Sequence, residues 1–409
     1  MTVPRQPRLE LLAPVAVRTV NLDAPSDLAL ARVGRPFRSA LLVGLRAGRP
    51  IGAVATGAVN DQRLSSDEIA RLFEGIESPP QTQRRESAAL PPLSVVVTTC
   101  AQAESTAAAV ESVLACDPPA LEVIVVENRP VGSPVPALLR ELFGENSRVR
   151  YVEESHRGLS AARNAGLREA RGEAVAFTDD DVIVAREWVG WLASSFSEEA
   201  DVACVTGLIV PGDLTTEAQV VMEQFAGFGK GYQRRVHRIT EPSSPLFPFG
   251  AGEFGSGACT ALRRDVGLAI GGFDTALGAG TVSRGGEDLD LFVRLLLGGH
   301  AIVYEPAAMI SHRHPDSDEH LRTEVFSYGM GLAAMLTKQA LDGQAAAIGR
   351  RIPAALRHLL DADSRKNVRK GPSYPRRLDW IERAGMLAGP SAYLRSRRHE
   401  RRLAARRAS

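Results

Sequence analysis

Three aspartates stand in a row, Asp179-Asp180-Asp181, one residue (Thr178) after the apolar run Ala174-Val175-Ala176-Phe177. Like charges repel and each carboxylate must stay hydrated, so stability alone gives no reason to gather three of them at a strand end. Such a cluster offers the oxygen ligands that a hard divalent cation, Mg2+ or Mn2+, takes while bridging phosphates. The plain alternative is an acidic turn that caps the next helix. A second acidic pair, Glu287-Asp288, precedes Leu289, Phe292, Val293 and Leu296 at helical spacing. Acids are favoured in the first turn of a helix by its dipole, and a carboxylate placed there can also take a proton from an attacking hydroxyl. Two histidines, His312 and His314, follow Ala301-Ile302-Val303-Tyr304, and at this spacing both can face one side of an extended segment.

The elements that must position these residues read as alternating strands and helices. Leu93 to Thr99 has the pattern of a buried parallel strand, and Ser105 to Ala115 that of a helix with Val110, Val113 and Leu114 inward. Then come a strand from Leu121 to Val126, a helix near Pro136 to Phe143, a strand from Val149 to Val152, and a helix opened by the segment Gly158 to Gly166. The fourth strand carries the aspartates. Alternation of this kind predicts a parallel sheet with ligands at the carboxyl ends of its strands. Thr98, Thr99, Glu127, Asn128 and Asp179 to Asp181 all fall at such ends.

Residues 1 to 90 read as a small α+β module and linker. They hold a hairpin (Ser39 to Leu45 and Pro50 to Val54 around Ala47-Gly48-Arg49), a helix from Ser66 through Phe73 opened by Ser66, and the polar stretch Ser78 to Ser87. No chemistry is visible there, and a packing or oligomerisation role is expected. Residues 91–330 form the α/β domain, and 331–409 a helical, basic extension.

A hydrophobic content of 44% with 24% charged residues excludes a disordered chain, and no apolar run approaches the length of a membrane span. Met1 to Glu10 carries Arg5 and Arg8 with no apolar stretch after it, so no secretory signal is expected. The four cysteines, Cys100, Cys116, Cys204 and Cys259, show no CxxC spacing, which fits a reducing cytoplasm. The net charge of +1 conceals an asymmetry: residues 350–409 hold 17 Lys/Arg against 5 Asp/Glu, a local +12 beside −11 for the rest. Trp380, Ile381, Ala384, Met386 and Leu387, then Tyr393 and Leu394, recur at helical spacing among arginines. Peripheral contact with an anionic membrane, at the inner face of the cell membrane, is one expectation for this segment. A solvated tail, or one docked on the acidic domain, is the other, and sparse aromatic interleaving argues against nucleic acid.

Taken together, these motifs resemble those of the family 2 glycosyltransferases with their GT-A fold, over about residues 91 to 315. Leu93 to Thr99 is similar to the first strand, whose end contacts the nucleobase. Val123 to Asn128 resembles the second, where the family commonly has aspartate in place of Glu127. Gly158-Leu159-Ser160-Ala161-Ala162-Arg163-Asn164-Ala165-Gly166 resembles the G-x-(S/A)-x-A-R-N-x-G helix start, and Asp179-Asp180-Asp181 the DxD metal motif. Gly285 to Leu291 resembles the ED motif that carries the catalytic base. The resemblance implies donor binding by Thr98, Thr99, Glu127, Asn128, Gly158, Arg163, Asn164, Asp179 and Asp180. It implies a metal on Asp181 and Asp179, with His312 as third ligand and His314 as runner-up. Phe254 to Arg264 resembles the glycine-rich acceptor-side segment, implicating Gly255, Ser256 and Gly257; the family usually has asparagine at Cys259.

The expected function is therefore metal-dependent transfer of a hexosyl or deoxyhexosyl group from a nucleotide-diphosphate donor to an acceptor hydroxyl, with Mn2+ or Mg2+ as cofactor. A glycan, a lipid-linked molecule or a small molecule could be the acceptor. Asp288, with Glu287 beside it, is the candidate base for a single, inverting displacement. No Q-x-x-R-W motif and no membrane span are present, which favours non-processive transfer. A nucleotidyltransferase would carry a glycine-rich basic loop where Thr98-Thr99-Cys100-Ala101-Gln102 stands, and an NAD-type dehydrogenase would need GxGxxG there. A non-catalytic nucleotide-sugar-binding protein of the same fold is the other alternative; the intact acidic triplet and pair argue against it.

Overall fold

The computed structural model describes residues 11–30, 36–57, 62–79, 90–361, 364, 366–368, 370 and 374–408. Met1 to Glu10 and most of the expected linker, 80–87, lie outside them. The N-terminal unit consists of β1 (Val15–Asn21), β2 (Leu28–Ala29), β3 (Ser39–Arg46), β4 (Arg49–Thr56), β5 (Arg63–Leu64) and α1 (Ser66–Leu72). The expected hairpin is β3 with β4, and β1 joins β3 in parallel. Helix α1 is capped by Ser65 rather than Ser66. The Ser65 hydroxyl accepts the Glu68 amide while the Glu68 carboxylate accepts the Ser65 amide, so two otherwise unpaired donors are satisfied one residue earlier than expected.

From residue 93 the βα alternation runs through β6 (Leu93–Thr99), α2 (Ala103–Leu114), β7 (Glu122–Glu127), α3 (Val135–Phe143), β8 (Val149–Glu153), α4 (Leu159–Glu169) and β9 (Ala174–Asp179). It continues as β10 (Val182–Val184), α5 (Trp188–Phe196), β11 (Val202–Pro211), α6 (Glu217–Ala226), β12 (Arg235–His237), β13 (Thr260–Arg263), α7 (Arg264–Ala269), α8 (Glu287–Leu297) and β14 (Ala301–His312). One sheet takes the order β10-β14-β11-β13-β9-β6-β7-β8, with β12 added beside β14. Strands β9, β6, β7 and β8 are mutually parallel, as are β11 and β14; β10, β12 and β13 run against their neighbours. Every residue of β6, β7 and β11 is buried, because helices cover both faces of the sheet. The two-residue period of the strands divides the core: Val95, Val97 and Val123 face Trp188 and Leu192, while Val96, Ile124 and Phe177 face Phe254 and Phe292.

The N-terminal unit is fastened to this domain. Val15 and Leu214 exchange two backbone hydrogen bonds of 2.8 and 3.1 Å. Arg49 of β4 reaches the buried Glu305 of β14 at 2.8 Å and lies over the Trp191 ring, 4.4 Å from its centroid.

Among the described residues that follow are the helices α9 (Asp318–Gln339), α10 (Ala345–Gly349), α11 (Ile352–Leu360) and α12 (Arg377–Ala408). The expected boundary at 330 falls inside α9. Helices α9 and α12 run parallel at constant offset, with Asp318 beside Arg377 and Phe326 beside Gly385. A Cβ on Gly385 would lie 2.1 Å from the Phe326 carbonyl, and one on Gly329 2.0 Å from that of Glu382, so the two backbones touch where both lack side chains. Gly385→Ala should destabilise by about 2 kcal/mol from overpacking, against the roughly 1 kcal/mol that alanine contributes as a better helix former. Chemical denaturation checks the sign; a more stable variant would refute the close contact.

Candidate active site

Parallel pairing aligns strand ends, and that alignment builds the site. Thr98 is registered with Asp179, and Thr99 with Glu127. The Thr98 hydroxyl donates to Asp179 at 3.2 Å and the Thr99 hydroxyl to Asp180 at 2.6 Å. Burial pushes the Asp180 carboxyl up to about 6, the Thr99 bond opposing this and Asp181 and Asp179 adding to it. Burial also raises Asp181, whose side chain is still 40% open to the cleft; the nearby His312 pulls the other way.

Donor atoms of Asp179, Asp181 and His312 all lie within 4.8 Å of one another, and the buried Nδ1 of His312 has no partner. Two carboxylates and an imidazole at this spacing fit a divalent cation. His314, the other candidate, is turned away: its Nε2 bonds Glu223 of α6 at 3.0 Å and its carbonyl accepts from Gln219. The extended backbone ends at His312, so the alternation that would pair the two faces does not reach residue 314.

Arg163, on the first turns of α4, is buried at 1% exposure beneath the triplet. Its guanidinium donates to Asp179 at 3.1 Å and to Glu287 at 3.0 Å, joining the two acidic motifs. Burial and the adjacent Asp288 push the Glu287 carboxyl up to about 7 against the pull of Arg163. Asp288 is half-buried; one oxygen accepts the Gly257 amide at 2.8 Å and the other the Leu289 amide at 2.8 Å. A Cβ on Gly257 would meet Arg163 at 2.5 Å, so this glycine makes room for the guanidinium. Gly255 and Ser256 line the same cleft beside it.

The remaining expected residues hold the frame. Asn128 accepts the Gly158 amide at 2.7 Å and donates to the carbonyls of Glu154 and His156, tying the loop after β7 to the loop after β8. Asn164 exchanges hydrogen bonds with the Phe273 backbone, 2.8 Å each way. Glu127 is fully buried; its carboxylate accepts from the amides of Ala101 and Arg129 and from the Ser133 hydroxyl. Ala101 has φ 61°, a left-handed conformation costing about 1 kcal/mol for alanine, and the Glu127 bond holds it there. Cys259 faces the core, accepting from the Trp188 indole, and burial pushes its thiol up to about 12.

The cleft, about 2680 Å3, is also walled by Phe228, Glu324 and Tyr328, and by Pro353, Ala354 and Arg357 of α11. Sequence reasoning missed these. They come from the turn after α6 and from α9 and α11, far apart along the chain, and none sits in a motif.

Residues 94–267 match the family model named glycosyl transferase family 2; Asp288 and His312 lie beyond the match. The pre-mycofactocin glycosyltransferase of Mycobacterium tuberculosis is 28% identical over 195 residues, 47% of this chain and 38% of that one. The glucosyl-dolichyl phosphate glucuronosyltransferase of Haloferax volcanii is 25% identical over 226 residues, covering 54% and 69%. The chain thus spans well under half of the mycobacterial relative. The mannosyltransferase PcManGT of Pyrobaculum calidifontis, solved with GDP-Man and Mn2+, superposes with a TM-score of 0.50 at 19% identity, covering 73% of this chain and 87% of that one. The fold is GT-A-like: a mixed, mostly parallel sheet between helices, with a helical C-terminal region.

Arg163→Met should cost about 3–5 kcal/mol, because the buried Glu287 and the partly buried Asp179 lose their shared cation. Adding Glu287→Gln should recover part of that loss. Urea denaturation of the two single variants and the double variant checks it, and strictly additive effects would refute the coupling.

Proposed function

We propose that this chain is a family 2 glycosyltransferase that moves a sugar from a nucleotide-diphosphate donor to an acceptor hydroxyl, with inversion and without processive elongation. One observation carries the reading: a three-donor metal cluster and a carboxylate held on a helix start, Asp288, open into the same cleft. The matching family and the relatives' names support it.

Asp179, Asp181 and His312 would hold the cation, and the imidazole favours Mn2+ over the more strictly oxygen-seeking Mg2+. When bound, it supplies a Lewis acid for the charge that grows on the leaving diphosphate. Thr98 and Thr99 hold Asp179 and Asp180 in place as that charge develops. Arg163 pairs with Asp179 and holds Glu287 in position. Asp288 takes the proton from the acceptor hydroxyl as its oxygen bonds to the anomeric carbon and the carbon–phosphate oxygen bond breaks. Two amides fix the Asp288 carboxylate while its other lone pairs remain free to accept. Carbon is attacked from the face opposite the leaving group, so its configuration inverts.

Asp181→Ala should abolish Mn2+-dependent binding of a nucleoside-diphosphate sugar yet leave the thermal melt nearly unchanged, because repulsion is relieved. Calorimetry with and without EDTA measures this, and donor turnover that persists in EDTA would count against the metal. Asp288→Asn keeps shape but cannot take a proton, so kcat should fall by about 10² or more while donor binding is retained. Retained anomeric configuration in the product would exclude the single displacement.

A further inference from the structure

Two helices of the C-terminal region turn apolar faces outward. On α11, Ile352, Leu356 and Leu360 recur every fourth residue and are 53, 54 and 72% exposed, whereas Pro353, Ala354 and Arg357, on the adjoining flank, line the cleft. On α12, Trp380, Leu387 and Leu394 recur every seventh residue and are 69, 85 and 42% exposed. A helix turns about 100° per residue, which puts these three on one stripe. The opposite side of α12 is docked: Leu378 and Tyr393 are buried, and Glu400 meets His156 at 3.0 Å. The exposed stripe is therefore held in a fixed orientation rather than carried on a solvated tail.

Charge decides what covers it. Arg395, Arg398 and Arg402 are exposed beside the apolar stripe on the helical wheel, Arg376 is exposed just before the helix, and Arg383 lies over the Trp380 ring at 4.8 Å from its centroid. A second copy meeting this face about a two-fold axis would set arginine against arginine. Nucleic acid would use the arginines but leave three aliphatic side chains on α11 in water. An anionic bilayer takes both: aliphatic and indole groups enter the headgroup boundary while guanidinium groups remain at the lipid phosphates. We propose that the outward faces of α11 and α12 form a docking surface for an anionic membrane, which sets the wall of the cleft formed by α11 at the bilayer surface. Of three tryptophans, Trp188 and Trp191 are buried, so Trp380 is a built-in reporter.

The test uses the full chain with vesicles of phosphatidylglycerol mixed with phosphatidylcholine, or of phosphatidylcholine alone. Co-sedimentation is expected only with the anionic vesicles, to weaken as salt rises, and to be accompanied by a blue shift of tryptophan emission that Trp380→Phe removes. Leu387→Ser with Leu394→Ser, and separately Leu356→Ser with Leu360→Ser, should each lower partitioning about tenfold, as expected when two leucines no longer enter lipid. All four side chains are solvent-exposed, so both variants should melt like the parent. Three results would each overturn the proposal: no binding to anionic vesicles, equal binding to both vesicle types, or partitioning unchanged in both double variants. A dimer that the leucine variants dissociate would overturn it in favour of a second copy. Vesicle binding is measured without turnover, so it stands or falls separately from sugar transfer.

Discussion

Arg163 is the interaction on which the site depends. The fold collects Asp179, Asp180, Asp181, Glu287 and Asp288 around the carboxyl ends of a buried sheet, where Glu287 is buried, Asp179, Asp180 and Asp288 are partly so, and Asp181 opens to the cleft. A single buried guanidinium, bonded to Asp179 on one side and Glu287 on the other, supplies the compensating charge and sets the distance between the two acidic motifs. Its packing then dictates its neighbours. Gly257 must lack a side chain, and Phe273 lies under the guanidinium, 5.6 Å from ring centroid to Cζ. Phe273 is in turn held by Asn164, one residue after Arg163, so one stretch of α4 places both the cation and its support.

The C-terminal helices reach the same point from the other direction. Gly286, the residue before Glu287, has φ 87° and lies so close to the Gly331 carbonyl that a Cβ would be 2.3 Å away. The start of α8 is thereby pressed against α9, and α9 against α12. The N-terminal unit is secured at a separate place, by Arg49 on Glu305 and by the paired amides of Val15 and Leu214. From this position Leu41, Val43, Ile51 and Ala53 of the unit reach the lining of the cleft.

What could be read from the chain alone was whatever is local. Strand-length apolar runs that alternate with helical spacing, and carboxylates at their ends, depend on neighbours within a few residues, so β6 to β9, the triplet at 179–181 and the pair at 287–288 were legible. The antiparallel insertion of β13 between β9 and β11 was not, because its four residues carry no signal of direction. Asn128, Asn164 and Glu127 sit on residues expected to touch a donor, yet their side chains bond backbone groups brought close only by folding. The choice between His312 and His314 turned on where β14 stops. Glu324, Phe228, Tyr328 and helix α11 enter the cleft through long-range packing, and no spacing rule reaches across 100 residues to find them.

The parallel alignment of α9 and α12 has a consequence for the chain between them. Helix α9 is 22 residues long, about 33 Å at the usual rise of 1.5 Å per residue. Two helices that point the same way cannot be joined by a tight turn, so residues 340 to 376 must travel back that whole length before α12 begins. Among the described residues of this segment, Pro353, Ala354 and Arg357 of α11 and Asp361, Ser364, Lys366 and Val368 line the cleft. Changes within α11 would reshape this wall without altering a strand or any of the acidic groups, whereas Lys366 and Lys370 pair with Glu382 and Asp379 and fasten the later stretch to α12. The outer wall of the cleft can therefore vary while the sheet and its carboxylates stay as they are.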